Sequence, residues 1–216
     1  MRWLLSLIMV ALCGCATVWQ EKRESFLERS YAEYEAAQPC CDHYKDFEYE
    51  RFDGEGVTFD IGGNGPFYAF PDGRSFFAAF SLPSAAAGER IRVKSLLVPG
   101  GITHPIQASA MLLPVATFLA EDFSVVAVKE AIPEREHAGW LSDTQAGGVA
   151  FMRIPVEASY MVVHTIPERF DQAFRFSRTD PGSIVAGVYV SAGTFLFAVP
   201  FAPTGRVFIR YAESDE

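Results

Sequence analysis

From Asp46 to the C-terminus, apolar and polar residues alternate with a period of two, and turn residues interrupt the pattern repeatedly. This pattern constrains the fold more than any other feature. Strand side chains point alternately to opposite faces, whereas a helix repeats every 3.6 residues. Phe47, Tyr49 and Arg51 alternate with Glu48 and Glu50, and Val57, Phe59 and Ile61 alternate with Thr58 and Asp60. Gly62-Gly63-Asn64-Gly65-Pro66 and Pro71-Asp72-Gly73 read as turns, because glycine permits positive φ and proline fixes its own. Further strands are expected over Arg74–Leu82, Arg90–Val98, Met111–Leu119, Phe123–Lys129, Val149–Ile154 and Ala158–Ile166. Residues 111–129 form a hairpin through Ala120-Glu121-Asp122, and Thr194–Phe201 and Arg206–Tyr211 form another around Pro203-Thr204-Gly205. The 19 phenylalanines and 8 tyrosines suit such a chain, since aromatic residues favour strands. About ten short strands with intervening turns predict an all-β fold: an antiparallel β-sandwich of jelly-roll or immunoglobulin-like type over residues 40–213.

Ahead of that domain the period is helical. Trp19, Arg23, Phe26, Leu27, Tyr31 and Tyr34 recur at helical spacing among Glu, Lys, Arg and Ala, until Pro39 stops the pattern. Residues 15–39 therefore read as a tether with a helix over 19–37, either docked on the domain or frayed as a spacer.

The first fifteen residues carry an address. Arg2 is positive, Trp3 to Leu12 is an almost unbroken apolar run, and Leu12-Cys13-Gly14-Cys15 ends it. That order resembles a bacterial lipobox, with residues 1–14 as the signal peptide and Cys15 as the acylated first residue of the mature chain. The run is about half of the roughly 20 apolar residues that a spanning helix needs. Several acyl chains on Cys15 would hold the protein on a membrane durably. Ala16, not aspartate, follows Cys15, so by resemblance to sorted lipoproteins the address is the outer membrane, periplasmic side.

The whole chain has a formal net charge of −9, and losing Arg2 with the signal makes the mature chain one unit more negative. Such a balance argues against nucleic acid, which demands a basic footprint, and leaves membrane attachment to the lipid. With Cys13 removed and Cys15 acylated, only Cys40 and Cys41 remain of four cysteines. Adjacent Cα atoms lie about 3.8 Å apart, closer than the 4.4–6.8 Å usual for a disulfide. The pair forms either a strained vicinal disulfide or two buried thiols, with bonds to another chain as a third option.

No Gly-x-Ser-x-Gly elbow, His-Glu-x-x-His or phosphate-binding glycine loop occurs in the sequence. His43, His104, His137 and His164 are too scattered for a metal site, and His164, in an apolar strand, reads as a satisfied core histidine. Glu48 and Glu50 read as a solvated strand face. Arg90, Arg92 and Lys94 form a basic row on the wet face of a strand whose dry face is Ile91, Val93 and Leu97. The row either binds envelope anions or pairs with acidic neighbours. Trp140, with Tyr160 and Tyr189, offers an aromatic platform for a sugar ring or simply packs at the core rim.

Several pieces then occur in a familiar order: Cys40-Cys41-Asp42, Phe76-x-x-x-Phe80-x-Leu82-Pro83, Leu113-Pro114-Val115-Ala116-Thr117-Phe118-Leu119-Ala120-Glu121-Asp122-Phe123, Tyr160-Met161-Val162-Val163-His164-Thr165 and Gly205-Arg206-Val207. Together, over roughly residues 38–211, the chain resembles the maltose operon periplasmic protein (MalM) family. The resemblance implies an exported β-rich domain and a link to carbohydrate uptake, with no catalytic residues to carry over. The sequence thus predicts a non-catalytic accessory or interaction lipoprotein without cofactor or metal, whose partners are the membrane, envelope proteins or glycan. A glycan-binding sandwich is the first alternative and an unrecognised envelope hydrolase the second.

Overall fold

In the computed structural model, the described residues are 20–98, 109–137, 147–180, 183–185, 188–190 and 193–213. Residues 1–19, with the signal and Cys15, lie outside them, as do Gly100–His104 and Trp140.

Residues 20–36 are helical (α1). Good helix formers fill the stretch, and Gln20 donates to Glu24 (3.0 Å) while Arg29 faces Glu33 (4.0 Å), one turn apart in each case. Phe26, Ser30 and Tyr34 recur along one stripe and are buried, with Arg23, Leu27 and Tyr31 half-buried beside them. The stripe is seated on the β domain. Ser30 Oγ and Thr204 Oγ1 lie 2.7 Å apart, and the Thr204 amide also donates to Ser30 Oγ (3.1 Å). The Tyr34 ring meets Phe67 and Phe170 edge-on, at 5.7 and 5.4 Å between centroids. Tyr34 belongs to the main core, so the helix is a packed part of the domain and not a frayed spacer.

The body is an all-β sandwich. One five-stranded sheet runs β1 (Glu50–Arg51), β5 (Ala78–Ser81), β11 (Tyr160–His164), β7 (Val115–Leu119), β8 (Val125–Glu130). The other runs β2 (Val57–Ile61), β16 (Gly205–Tyr211), β6 (Arg90–Leu96), β10 (Gly147–Arg153), β9 (Arg135–His137). Pairings within both are antiparallel except β1 with β5, which is parallel. The core lies between them: Phe80, Phe118, Met161 and Val163 from the first sheet meet Ile91, Val93, Val207 and Ile209 from the second. Each such side chain contributes about 1.5–3 kcal/mol by leaving water. Among the described residues there are also three two-stranded ribbons: β3 (Phe67–Phe70) with β4 (Gly73–Phe76), β12 (Ala173–Asp180) with β15 (Gly193–Pro200), and β13 (Ser183–Val185) with β14 (Val188–Val190).

Three expectations from the alternating pattern need correction. Arg74–Leu82 is two strands, because Phe76 and Phe77 are both buried and the Phe77 amide turns to Pro66 O (3.0 Å). Strand β16 does not pair with β15; it is hydrogen-bonded on both sides, to β2 and β6, so β15 pairs with β12 instead. Finally, β6 has no wet face: Arg92 is 4 % and Lys94 1 % exposed, and only Arg90 of that row reaches solvent.

Ser30→Ala leaves the buried Thr204 amide without its acceptor. It should lower unfolding free energy by about 1–3 kcal/mol with an unchanged denaturant slope. An unaltered urea midpoint would mean that α1 is not seated as described.

Candidate functional site

The first sheet is apolar on its outer face as well. Ala79, Leu119 and Val162 point away from the main core and, with Phe47, Phe70 and Phe77, form a second buried cluster. The β3–β4 hairpin supplies Phe70, and the segment before β1 supplies Phe47. Half-buried aromatic residues ring this cluster. Tyr44 and Tyr68 lie 5.4 Å apart at one end, and Phe47 meets Tyr68 at 4.9 Å. At the other end Tyr160 lies 4.6 Å from Tyr49 and stacks on Phe123 at 4.7 Å, with 16° between the rings. Tyr49 donates to Tyr44 O (2.8 Å) and Tyr68 donates to Asp42 O (3.2 Å). Burial pushes the Tyr44 phenol up to about 12 and raises that of Tyr49 as well.

Phe123 has φ 65°, the one positive value at a non-glycine among the described residues. A bulky residue held in that region costs on the order of 1–3 kcal/mol, which surrounding contacts must offset. The turn supplies some of them. Phe123 N donates to Ala120 O (3.0 Å), and Asp122 Oδ1 accepts from both Ser124 N (3.0 Å) and Ser124 Oγ (2.6 Å). Those bonds hold the exposed Asp122 carboxyl below the usual carboxylate range. Sequence reasoning singled out Tyr160 but missed Tyr49 and Phe123, which come from distant segments and carry no local signal of their meeting.

Beneath the hairpin lies a buried polar group. His164 is fully buried, and its ring stacks flat on Phe70, 3.9 Å between centroids and 6° off parallel. Nδ1 is 3.2 Å from Thr165 O and Nε2 is 2.9 Å from Thr117 Oγ1. A carbonyl can only accept, so Nδ1 carries the proton and Nε2 accepts from the Thr117 hydroxyl. His164 is thus a satisfied neutral core histidine. Desolvation lowers its pKa, opposed by the Asp72 charge and the Thr165 carbonyl. Gly73 closes the hairpin at φ 129°, where a Cβ would sit 2.7 Å from Pro167 Cδ. Only glycine fits there.

A cleft of about 480 Å³ opens where α1 meets the second sheet, lined by Phe26, Ile61, Leu97, Val98 and Thr204. Its volume lies in the range of small-molecule sites. Asp60 and Arg206 also line it, joined by two bonds of 2.8 and 3.1 Å that satisfy the carboxylate and raise the arginine pKa.

Cys40 is exposed and Cys41 half-buried against the second cluster, and their sulfurs are bonded to each other. The Cys40 amide donates to Phe67 O (2.8 Å), so the cystine sits where the chain leaves α1 and joins the hairpin. The basic row is not an exposed stripe. Arg92 and Lys94 are buried and partnered, and the exposed Arg90 lies 4.1 Å over the Phe151 ring. Trp140 and the side chain of Tyr189 are outside the described residues. Glu48 and Glu50 are exposed. Among the described residues, no three or more His, Cys, Asp or Glu are placed to hold a metal ion. Compared with protein-family models, curated proteins and solved structures, the chain matches none.

Two predictions follow from this geometry. His164 is harder to protonate folded than unfolded. Its contribution to stability is therefore complete above its ordinary pKa of 6.5 and is lost as the pH falls below that value. Urea midpoints at pH 7.5 and 5.5 should differ more for the native protein than for His164→Gln; equal differences would remove His164 as the cause. For the cystine, intact mass after thiol blocking should show no adduct on Cys40 or Cys41 before reduction and two after. Adducts without reduction would rule out the bond. So short a loop barely restrains the unfolded chain, so reduction should cost less than the 2–4 kcal/mol typical of longer loops.

Proposed function

We propose that this chain is a lipoprotein of the bacterial outer membrane, acylated at Cys15 and facing the periplasm. Its sandwich acts as a non-catalytic accessory or interaction module, with the link to carbohydrate uptake that the MalM resemblance implies. The observation that carries this reading is the seating of α1. Tyr31 donates to Phe170 O (3.1 Å), Ser30 bonds Thr204, and Tyr34 enters the core, so the helix cannot swing. Between Cys15 and the start of the described helix the chain can extend by only 3.3–3.6 Å per residue, at most roughly 18 Å. An acylated Cys15 would therefore hold the domain close to the bilayer in a restricted orientation, as suits a module that presents a surface to a neighbour. Among the described residues no helix is long and apolar enough to cross a membrane.

Cys15→Ser should shift the protein from the outer-membrane fraction to the soluble periplasm, or leave residues 1–14 uncut, and should abolish labelling with fatty acid. A variant that still sediments with outer membrane and still takes up label would overturn the anchor. The glycan-binding alternative draws its support from a separate observation, the ring cluster at Tyr160.

A further inference from the structure

We propose that Tyr49, Phe123 and Tyr160 form a stacking platform for a neutral saccharide of the envelope. This deepens the accessory-module reading and rests on it for the choice of an envelope ligand. Three chain segments converge here: the approach to β1, the β7–β8 turn and the first residue of β11. Each contributes one aromatic residue that is half-buried. Tyr160 is the hub, 4.6 Å from Tyr49 and 4.7 Å from Phe123, and Tyr49 and Phe123 lie 5.9 Å apart.

Two features set this group apart from ordinary rim packing. Phe123 adopts a backbone conformation that a phenylalanine rarely takes, and the turn around it is pinned by the Asp122 bonds to Ser124. The strain places an aromatic ring where glycine or asparagine would be the easier choice, and such outliers concentrate at binding sites. The second feature is charge. Glu48 and Glu50 flank Tyr49 in the chain, Glu121 and Asp122 precede Phe123, and all four carboxylates are exposed. A chain with a formal net charge of −9 repels phosphate and uronate polymers. Exposed carboxylates accept hydrogen bonds from sugar hydroxyls, and aromatic rings receive the apolar C–H face of a pyranose. A neutral sugar satisfies both halves of the surface at once.

The remaining occupant that such chemistry would admit is a cation held over the rings, and the test separates the two. Detergent-solubilised full-length protein is titrated calorimetrically with maltohexaose, cellohexaose and hexalysine, alongside Tyr160→Ala and Phe123→Gly. Glycine accepts the φ of residue 123, so Phe123→Gly removes the ring with little risk to the fold, and a thermal melt checks both variants. Saturable binding of at least one neutral hexasaccharide is expected, with a dissociation constant that rises at least tenfold in each folded variant. No binding of either hexasaccharide at millimolar concentration would overturn the proposal. So would binding of hexalysine alone, or hexasaccharide binding that both variants retain. Membrane fractionation of Cys15→Ser reads the anchor independently, so failure of the saccharide site and failure of the lipoprotein reading are distinguishable.

Discussion

A sheet that is apolar on both faces cannot leave either one to water, and the architecture here follows from that constraint. Every residue of Val115–Leu119 is buried, and so are Met161 to His164 in the neighbouring strand. The inner face finds its cover in the second sheet. The outer face needs another, which the chain builds from the β3–β4 hairpin and the segment after α1. The half-buried Cys41 of the cystine and the tyrosines Tyr44, Tyr49, Tyr68 and Tyr160 all belong to that added layer. Where the layer thins out, at Tyr49, Phe123 and Tyr160, rings stay partly in water.

The same constraint explains how polar groups survive inside. His164 sits under the added layer with both nitrogens bonded, and Ser75 Oγ, also buried, accepts from the Thr165 amide (3.0 Å) while donating to Phe76 O (2.6 Å). Paired in this way, buried polar groups cost little; left unpaired, each costs about 1–3 kcal/mol. These groups hold the hairpin in one position over the sheet.

The strand content was legible because alternation is a local property. Val57–Ile61, Arg90–Leu96 and Tyr160–His164 lie where the pattern placed them, and the helical period ahead of Pro39 also held. What alternation does not reveal is how many layers a sheet will have. A polar residue at every second position implies a wet face, yet Arg92 and Lys94 lie buried on theirs. Pairing partners are likewise non-local, and short spacing suggested β15–β16 although β16 fills a central slot. Of the ring cluster, Tyr160 could be suspected from its strand. Tyr49 and Phe123 are brought to it by a parallel edge strand and a turn with positive φ, and neither leaves a mark in a single sequence.

The Ser30–Thr204 bond joins residues 174 positions apart. Its partner lies one residue before β16, the strand that fills the gap between β2 and β6. Until β16 is present, the second sheet is split and α1 lacks its bond to Thr204. Folding therefore waits for β16, because long-range closure must precede the contacts that reward it. A chain emerging N-terminus first would travel with its two halves unassembled. It would also expose the edges of β2 and β6 together, the condition in which pairing with another chain competes with folding. One strand thus makes this domain an all-or-none object: without β16 it would lose the joint that connects helix, sheet and core.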